Sequence, residues 1–505
     1  MAGGTLSFLG GKVTMVFPPG AVNAVTTIDV TAVATPPADG IAGAVYQFSP
    51  DGIVFAKPVR LTLKYDPAQI PVGTLETQIE LAKVIPNGWQ PLQTVADSTA
   101  KTLSADLNGF SSYGAIPTVH AWLFGSSPTI ATSVSAIAAD LVGNVYVVGE
   151  SADYGGPVTQ DNRAYITSFT RDGNPRSGWP VRVDLPTGYT FWSLTSVGVD
   201  ESGNFICATG SGNAVPVGTS AQLVICFTPD GKVRSGWPVF ITTTSTYGGK
   251  ILLDPTANVY VSGSNGARAF VTSYNSSGAL RSGWPQTVGG GSLTPAPSIS
   301  RDTSANIFAV WNSAPFPNSG AVVESFTADG IRRSGFPVLI PDGSAGNYNT
   351  GSAIAVDVTG NTAVAWTNFL TGRASITSLD PLGKPRAGWP NILEASNPNP
   401  ILALGGVAAT YLDNVFVAAS YDAYSVANPN NGSDLWLTSY NSSGALRFGF
   451  PLRLGSDFDD KPYGVAVNQI GDVFIGGTTN GAFQEVPNPN AGGASVGFVV
   501  RVRGE

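Results

Sequence analysis

The stretch ITSFTRDGNPRSGWPV (Ile166–Val181) decides the fold, because it returns. It comes back as VICFTPDGKVRSGWPV (Val224–Val239) and VTSYNSSGALRSGWPQ (Val271–Gln286). From Val323, Ile376 and Leu437 it returns again as VESFTADGIRRSGFPV, ITSLDPLGKPRAGWPN and LTSYNSSGALRFGFPL, which makes six copies. Each copy is an alternating apolar–polar run, a Gly-containing turn and a second short run opened by Gly-Trp-Pro or Gly-Phe-Pro. Period-two alternation broken by such a turn is a hairpin signal. The proline cannot donate to a ladder, so the second run is expected at a sheet edge.

A second motif precedes each copy: DLVGNVYVVG from Asp140, DESGNFICAT from Asp200, DPTANVYVSG from Asp254, DTSANIFAVW from Asp302 and DVTGNTAVAW from Asp357. TYLDNVFVAA from Thr410 and NQIGDVFIGG from Asn468 bring the count to seven. Its turn residues Asn144, Asn204, Asn258, Asn306, Asn361, Asn414 and Asp472 recur every 48 to 60 residues. Asn and Asp tolerate left-handed turn conformations, so they are read as the residues that make this second hairpin. Two hairpins, hence four strands, per roughly fifty residues is the pattern of a β-propeller blade. The seventh unit ends after its third strand, and VHAWLFG (Val119–Gly125) carries an aromatic, Trp122, where the other units carry Trp179 or Trp237. The expectation is an all-β chain with a seven-bladed β-propeller over residues 118–505, its four-stranded blades closed by this N-terminal strand. Closure removes two exposed sheet edges.

The repeats resemble the SBBP-type propeller repeats of bacteria, and their Asp-Gly…Gly-Trp-Pro turn resembles FG-GAP-like repeats. The Asp-rich calcium loop of the latter has no counterpart here, so no metal or other cofactor is expected.

Residues 1–117 lack both motifs. Alternating runs at Lys12–Phe17, Thr27–Val33, Val59–Tyr65 and Ile79–Val84, separated by Pro, Gly and Asp turns, read as a small β-sandwich. GGTLSFLGGKVTMVFPPGAV (Gly3–Val22), YQFSPDGIVFAKPVRLTLKY (Tyr46–Tyr65) and GFSSYGAI (Gly109–Ile116) resemble the ZU-type domain of ankyrins and netrin receptors. Some members of that family cleave themselves within a His-Phe-Ser triplet. The matching residues are Gly109, Phe110 and Ser111; without the histidine, Ser111 has no base, and an intact chain is expected.

Only 12% of the 505 residues are charged, and the net charge of −8 argues against a nucleic-acid partner. No run of eighteen apolar residues offers a transmembrane segment. No basic-then-apolar leader follows Met1. With the low-charge, turn-rich composition, this makes an extracellular or cell-surface protein, its leader absent from the chain, the expectation. Cys207 and Cys226 are the only cysteines. Placed opposite each other in neighbouring strands they can form a bridge; a one-residue slip in register leaves two buried thiols. Both readings stand.

The chain has a single histidine, His120, and no nucleophile-elbow, Walker or dinucleotide motif in a suitable setting. Arg176, Arg234, Arg281, Arg333, Arg386 and Arg447 recur in every copy, as do the Gly-aromatic-Pro rings. A residue present in every unit is read as serving the unit. Non-repeated residues of the long loops are the binding candidates: Tyr154, Tyr189, Trp192, Phe316, Tyr421, Tyr424 and Tyr463, with the nearby carboxylates Asp153, Asp422, Asp457, Asp459 and Asp460. Aromatics interleaved with carboxylates suit sugar or peptide recognition. Long loops on a rigid frame are where such residues concentrate, whereas the tight turns look too alike to build one unique site. The expectation is therefore a non-enzymatic propeller for adhesion, recognition or extracellular assembly, with a protein or glycan partner or further copies of itself. The alternative is a propeller-type lyase or glycoside hydrolase that uses loop carboxylates.

Overall fold

The computed structural model describes the chain except residues 1, 87, 126–129, 154–162, 185–188, 215–219, 244–246, 266–267, 290–295, 313–320, 341–348, 369–372, 394–400, 423–431 and 504–505. It divides into two compact units, Met1–Ala121 with Gln484–Val486, and Trp122–Phe483 with Pro487–Glu505.

In the first unit, two five-stranded antiparallel sheets share one apolar core. One runs Gly4–Phe8, Val13–Phe17, Val54–Lys64, Thr102–Gly109 and Val95–Asp97; the other runs Asp29–Ala32, Val45–Ser49, Ser112–Pro117, Ile79–Ile85 and Gly88–Pro91. Alternation does the sorting: Val59, Leu61 and Leu63 point into the core while the residues between them do not. Phe110 is buried in this core. A Cβ on Gly109 would lie 2.3 Å from the Ile53 carbonyl oxygen, so no side chain, histidine included, fits there without moving the backbone.

The second unit is built from four-stranded antiparallel sheets in a propeller-like arrangement. The first sheet runs Ile130–Ala139, Val145–Asp153, Arg163–Phe169 and Val181–Val183 from its first to its last strand. Five more sheets repeat that order, opening at Tyr189, Tyr247, Ser298, Asn349 and Ile401. A further sheet runs Asp460–Val467, Asp472–Thr479, Val496–Arg503, and its last place is taken by Val119–Phe124. First strands touch in cyclic order, and Asp460–Val467 meets Ile130–Ala139. Apolar layers fill the spaces between sheets: Tyr146, Ile166 and Trp179 of the first pack on Ile206 and Phe227 of the second.

The repeated residues serve this frame. Trp179, Trp237 and Trp284 each donate their indole N–H to a turn carbonyl of the next repeat, those of Pro229, Ser276 and Ala328. Arg176, Arg281, Arg333 and Arg386 each reach back eight residues to a serine hydroxyl, at 3.0–3.1 Å. One expectation is corrected. The Asn of the second motif does not itself take the left-handed conformation; the residue before it does, at Gly143, Gly203, Ala257, Ala305, Gly360, Asp413 and Gly471. In the first, third, fourth and fifth repeats the opening Asp holds the turn by accepting from the Asn. Asp140 Oδ1 takes the Asn144 backbone N–H at 2.8 Å and Oδ2 the side-chain amide at 2.7 Å.

Cys207 and Cys226 stand opposite each other in adjacent strands and are joined as a disulfide, so the bridged reading holds. Among the described residues no helix is long and apolar enough to cross a membrane.

Candidate active site

Strands Val415–Asp422 and Ser433–Tyr440 belong to the sixth repeat, and Asp460–Val467 opens the seventh. At their loop ends they bring together Tyr421, Asp434 and Asp460. Tyr421 and Asp434 are cross-strand partners, and the Tyr421 hydroxyl donates to Asp434 Oδ2 at 3.2 Å. Asp460 is fully buried, and its Oδ2 accepts from the Ser456 backbone N–H at 2.6 Å and from Ser456 Oγ at 2.9 Å. The two carboxyl groups are near enough to act on each other's proton affinity. Each keeps a buried Oδ1 to which no N–H or neutral O–H donates. Burial beside a second acid disfavours the charged form of each.

The electrostatics agree. Burial pushes Asp434 up to about 6, against the hydrogen bonds from Tyr421 and Asp460, with the nearby Asp457 charge adding to the rise. Burial pushes Asp460 up to about 7, and the Asp434 charge adds to it. Burial and the Asp434 carboxylate push Tyr421 up to about 12. The Arg453 guanidinium lies 5.3 Å from the centre of the Tyr421 ring and works the other way on both Tyr421 and Asp434. Gly455 lets the chain pass against the dyad, since a Cβ there would sit 2.2 Å from Asp434 Oδ1.

The structure sorts the loop residues singled out in the sequence. Tyr421 is no exposed anchor: its ring is only 7% exposed, and its hydroxyl is committed to Asp434. Asp459 stands just before the strand that Asp460 opens and has partners of its own. It accepts from Ser433 N at 2.8 Å and from Lys461 Nζ at 2.8 Å. Burial alone would raise Asp459, yet these bonds hold it below its ordinary value. Asp457 is exposed beside the dyad, and Tyr463 is 41% exposed. Tyr154, Tyr424 and Phe316 lie outside the described residues; for Tyr189, Trp192 and Asp422 only the strand positions are described. Among the described residues no group of three acids, cysteines or histidines is placed to hold a metal ion.

Asp434 was not among the binding candidates read from the sequence, and Asp460 was read only as one of the loop acids beside Asp457 and Asp459. A signal existed for Asp434. Counted six residues back from the aromatic or Leu before the Gly turn, its position holds Arg163, Arg268 and Arg373 in other repeats.

No family model and no curated protein matches the chain. Among solved structures it is similar to an ulvan lyase of polysaccharide lyase family PL25, bound to -[GlcA(1-4)Rha3S]-. The TM-score is 0.42 at 12% identity, over 76% of this chain and 96% of that one. It is also similar to the Xanthomonas campestris gluconolactonase XC5397 (TM-score 0.34, 11% identity, 75% and 98% covered). A third similar structure is the Hadza microbial sialidase Hz136 (TM-score 0.37, 8% identity, 93% and 98% covered). These neighbours are enzymes, which runs against the expectation of a non-enzymatic protein. At such identities the likeness concerns the fold and transfers no substrate.

Proposed function

We propose that the chain is an extracellular, propeller-type carbohydrate-active enzyme of the lyase class, a seven-bladed ring preceded by a ZU-type β-sandwich that acts as a spacer. The observation that carries the reading is the Asp434–Asp460 dyad beside Tyr421. Strongly shifted acids that act on each other mark groups kept for proton transfer near neutral pH. Hydrolysis by a carboxylate pair needs the two groups about 5–5.5 or 6.5–9.5 Å apart. Elimination needs no fixed separation between two carboxyls, and of the two enzyme classes it fits a coupled acid pair beside a tyrosine better. It asks for one base to take a carbon-bound proton next to a uronate carboxyl, and one acid for the departing sugar oxygen. Asp434, the less buried member, takes the proton; the C–H pair becomes the C=C bond; the C–O bond breaks; and the Tyr421 hydroxyl protonates the leaving oxygen. The proton taken up by Asp434 then restores Tyr421, and no water is consumed. Arg453 offers positive charge for the uronate carboxylate. The Cys207–Cys226 bridge supports an oxidising, extracellular setting.

The test is digestion of a panel of polyuronides, followed by the ultraviolet absorbance of the new double bond. Unsaturated ends are expected from at least one polymer. Asp434→Asn and Asp460→Asn should each lower the rate by about a hundredfold or more with the melting transition retained. Full activity in both variants would reject the assignment.

A further inference from the structure

The tight turns are less alike than their motif suggests, and the differences meet at one point. The ends of the first strands of all seven repeats surround a cavity of about 300 Å³ on the tight-turn side of the ring axis. The residue just before each turn is aliphatic in six repeats: Ala139, Val199, Leu253, Val356, Ala409 and Val467. In the fourth repeat it is Arg301. The residue just after the turn-opening position is Leu141, Pro255, Thr303, Val358 or Gln469 in five repeats, but Glu201 in the second and Tyr411 in the sixth. These exceptions converge. Arg301 Nη2 meets Glu201 Oε1 at 3.0 Å, across 100 residues of sequence. Arg301 is held in place by backbone carbonyls: its Nε donates to Leu253 O at 2.6 Å and Nη1 to Asp302 O at 3.2 Å. Tyr411 is 44% exposed, and its hydroxyl, raised by burial, feels the charges of both Glu201 and Arg301. A residue that breaks the repeat does not serve the repeat, and here three of them line one cavity.

We propose that this axial cavity is a binding site for a small uncharged polyol, a single hexose, separate from the Asp434–Asp460 site. Neighbouring hydroxyls of a pyranose need a donor and an acceptor side by side, and Arg301 and Glu201 supply that pair on a fixed frame. The exposed Tyr411 ring gives a face for the apolar side of the sugar, against an aliphatic wall that includes Val199, Leu252 and Val356. Asp302 and Asp357 also line the cavity, so acidic groups outnumber Arg301, which disfavours a carboxylate or sulfate ligand.

The test uses the intact chain, titrated calorimetrically with glucose, galactose, mannose, rhamnose and glucuronate. Saturable binding of at least one neutral hexose is expected, with glucuronate weaker. Arg301→Val installs the residue that three other repeats carry, and Tyr411→Leu the residue of the first repeat. Each should weaken binding by about tenfold or more, because a bond to a charged group or an aromatic face is lost. Asp460→Asn should leave it unchanged. The proposal is overturned if no hexose binds saturably, if glucuronate binds better than every neutral sugar, or if Tyr411→Leu binds like the parent chain. Should Arg301→Val fail to fold, Tyr411→Leu decides alone.

Discussion

Asp460 has no exposure to solvent and a pKa pushed up to about 7, from an ordinary value of 3.8. Its partner Asp434 is pushed up to about 6. A raised carboxyl pKa means that the folded chain binds more protons than the unfolded chain between the two values. Stability should therefore fall as pH rises from about 4 to about 7, by on the order of a few kcal/mol for the pair. Asp460→Asn cannot ionise, so its melting temperature should lose most of that slope and exceed the parent's at pH values above 7. Parallel pH–melting curves for the two proteins would contradict a buried dyad. Catalysis should run the other way, rising with pH through about 6 as Asp434 gives up its proton. The dyad was hard to see in the sequence for a physical reason. Asp457, Asp459 and Asp460 look like one acidic group, but Asp459 pairs with Lys461 while Asp460 is buried beside a residue of the preceding repeat. Only an alignment of the repeats against one another isolates Asp434, as an acid where three repeats hold arginine.

The tight turn is the element that the sequence announces most clearly, and its chemistry differs from the obvious reading. Position in the motif points to the Asn, yet the Asp four residues earlier gathers the bonds. Asp254 accepts from Thr256 N, Thr256 Oγ1, Asn258 N, Asn258 Nδ2 and Tyr260 OH, all at 2.7–3.1 Å. Burial opposes the charge on Asp254, but these bonds outweigh it and hold the carboxyl below its ordinary value. Asp254→Ala should cost about 1–3 kcal/mol, read by chemical denaturation. Because the folded pKa is depressed, that contribution is present above about pH 4 and disappears as pH falls through the folded value. Parent and variant should therefore converge in acid. The repeats were readable from their recurring turns, although inner strands such as Val259–Ser264 and Ala321–Phe326 are buried along their whole length; the sites at the strand ends were not readable, because they join residues of different repeats.

On the scale of the whole molecule, the ring depends on a strand that enters from the front of the chain. Trp122 is 8% exposed and packs with Val134, Phe169, Phe474 and Val499, which belong to the first and seventh repeats. Trp122→Ala should cost about 3–5 kcal/mol, and deletion of Val119–Phe124 should leave Val496–Arg503 as an open edge that aggregates. Monomeric behaviour with an unchanged melting profile after that deletion would contradict closure. The Cys207–Cys226 bridge lies within one sheet, so its reduction should lower stability by about 2–4 kcal/mol and leave the rest of the ring assembled. The most direct test of the proposed chemistry is mass spectrometry of the products of polyuronide digestion carried out in heavy-oxygen water. Elimination at the Asp434–Asp460 dyad predicts fragments with an unsaturated end and no heavy oxygen; saturated fragments carrying one heavy oxygen each would contradict it.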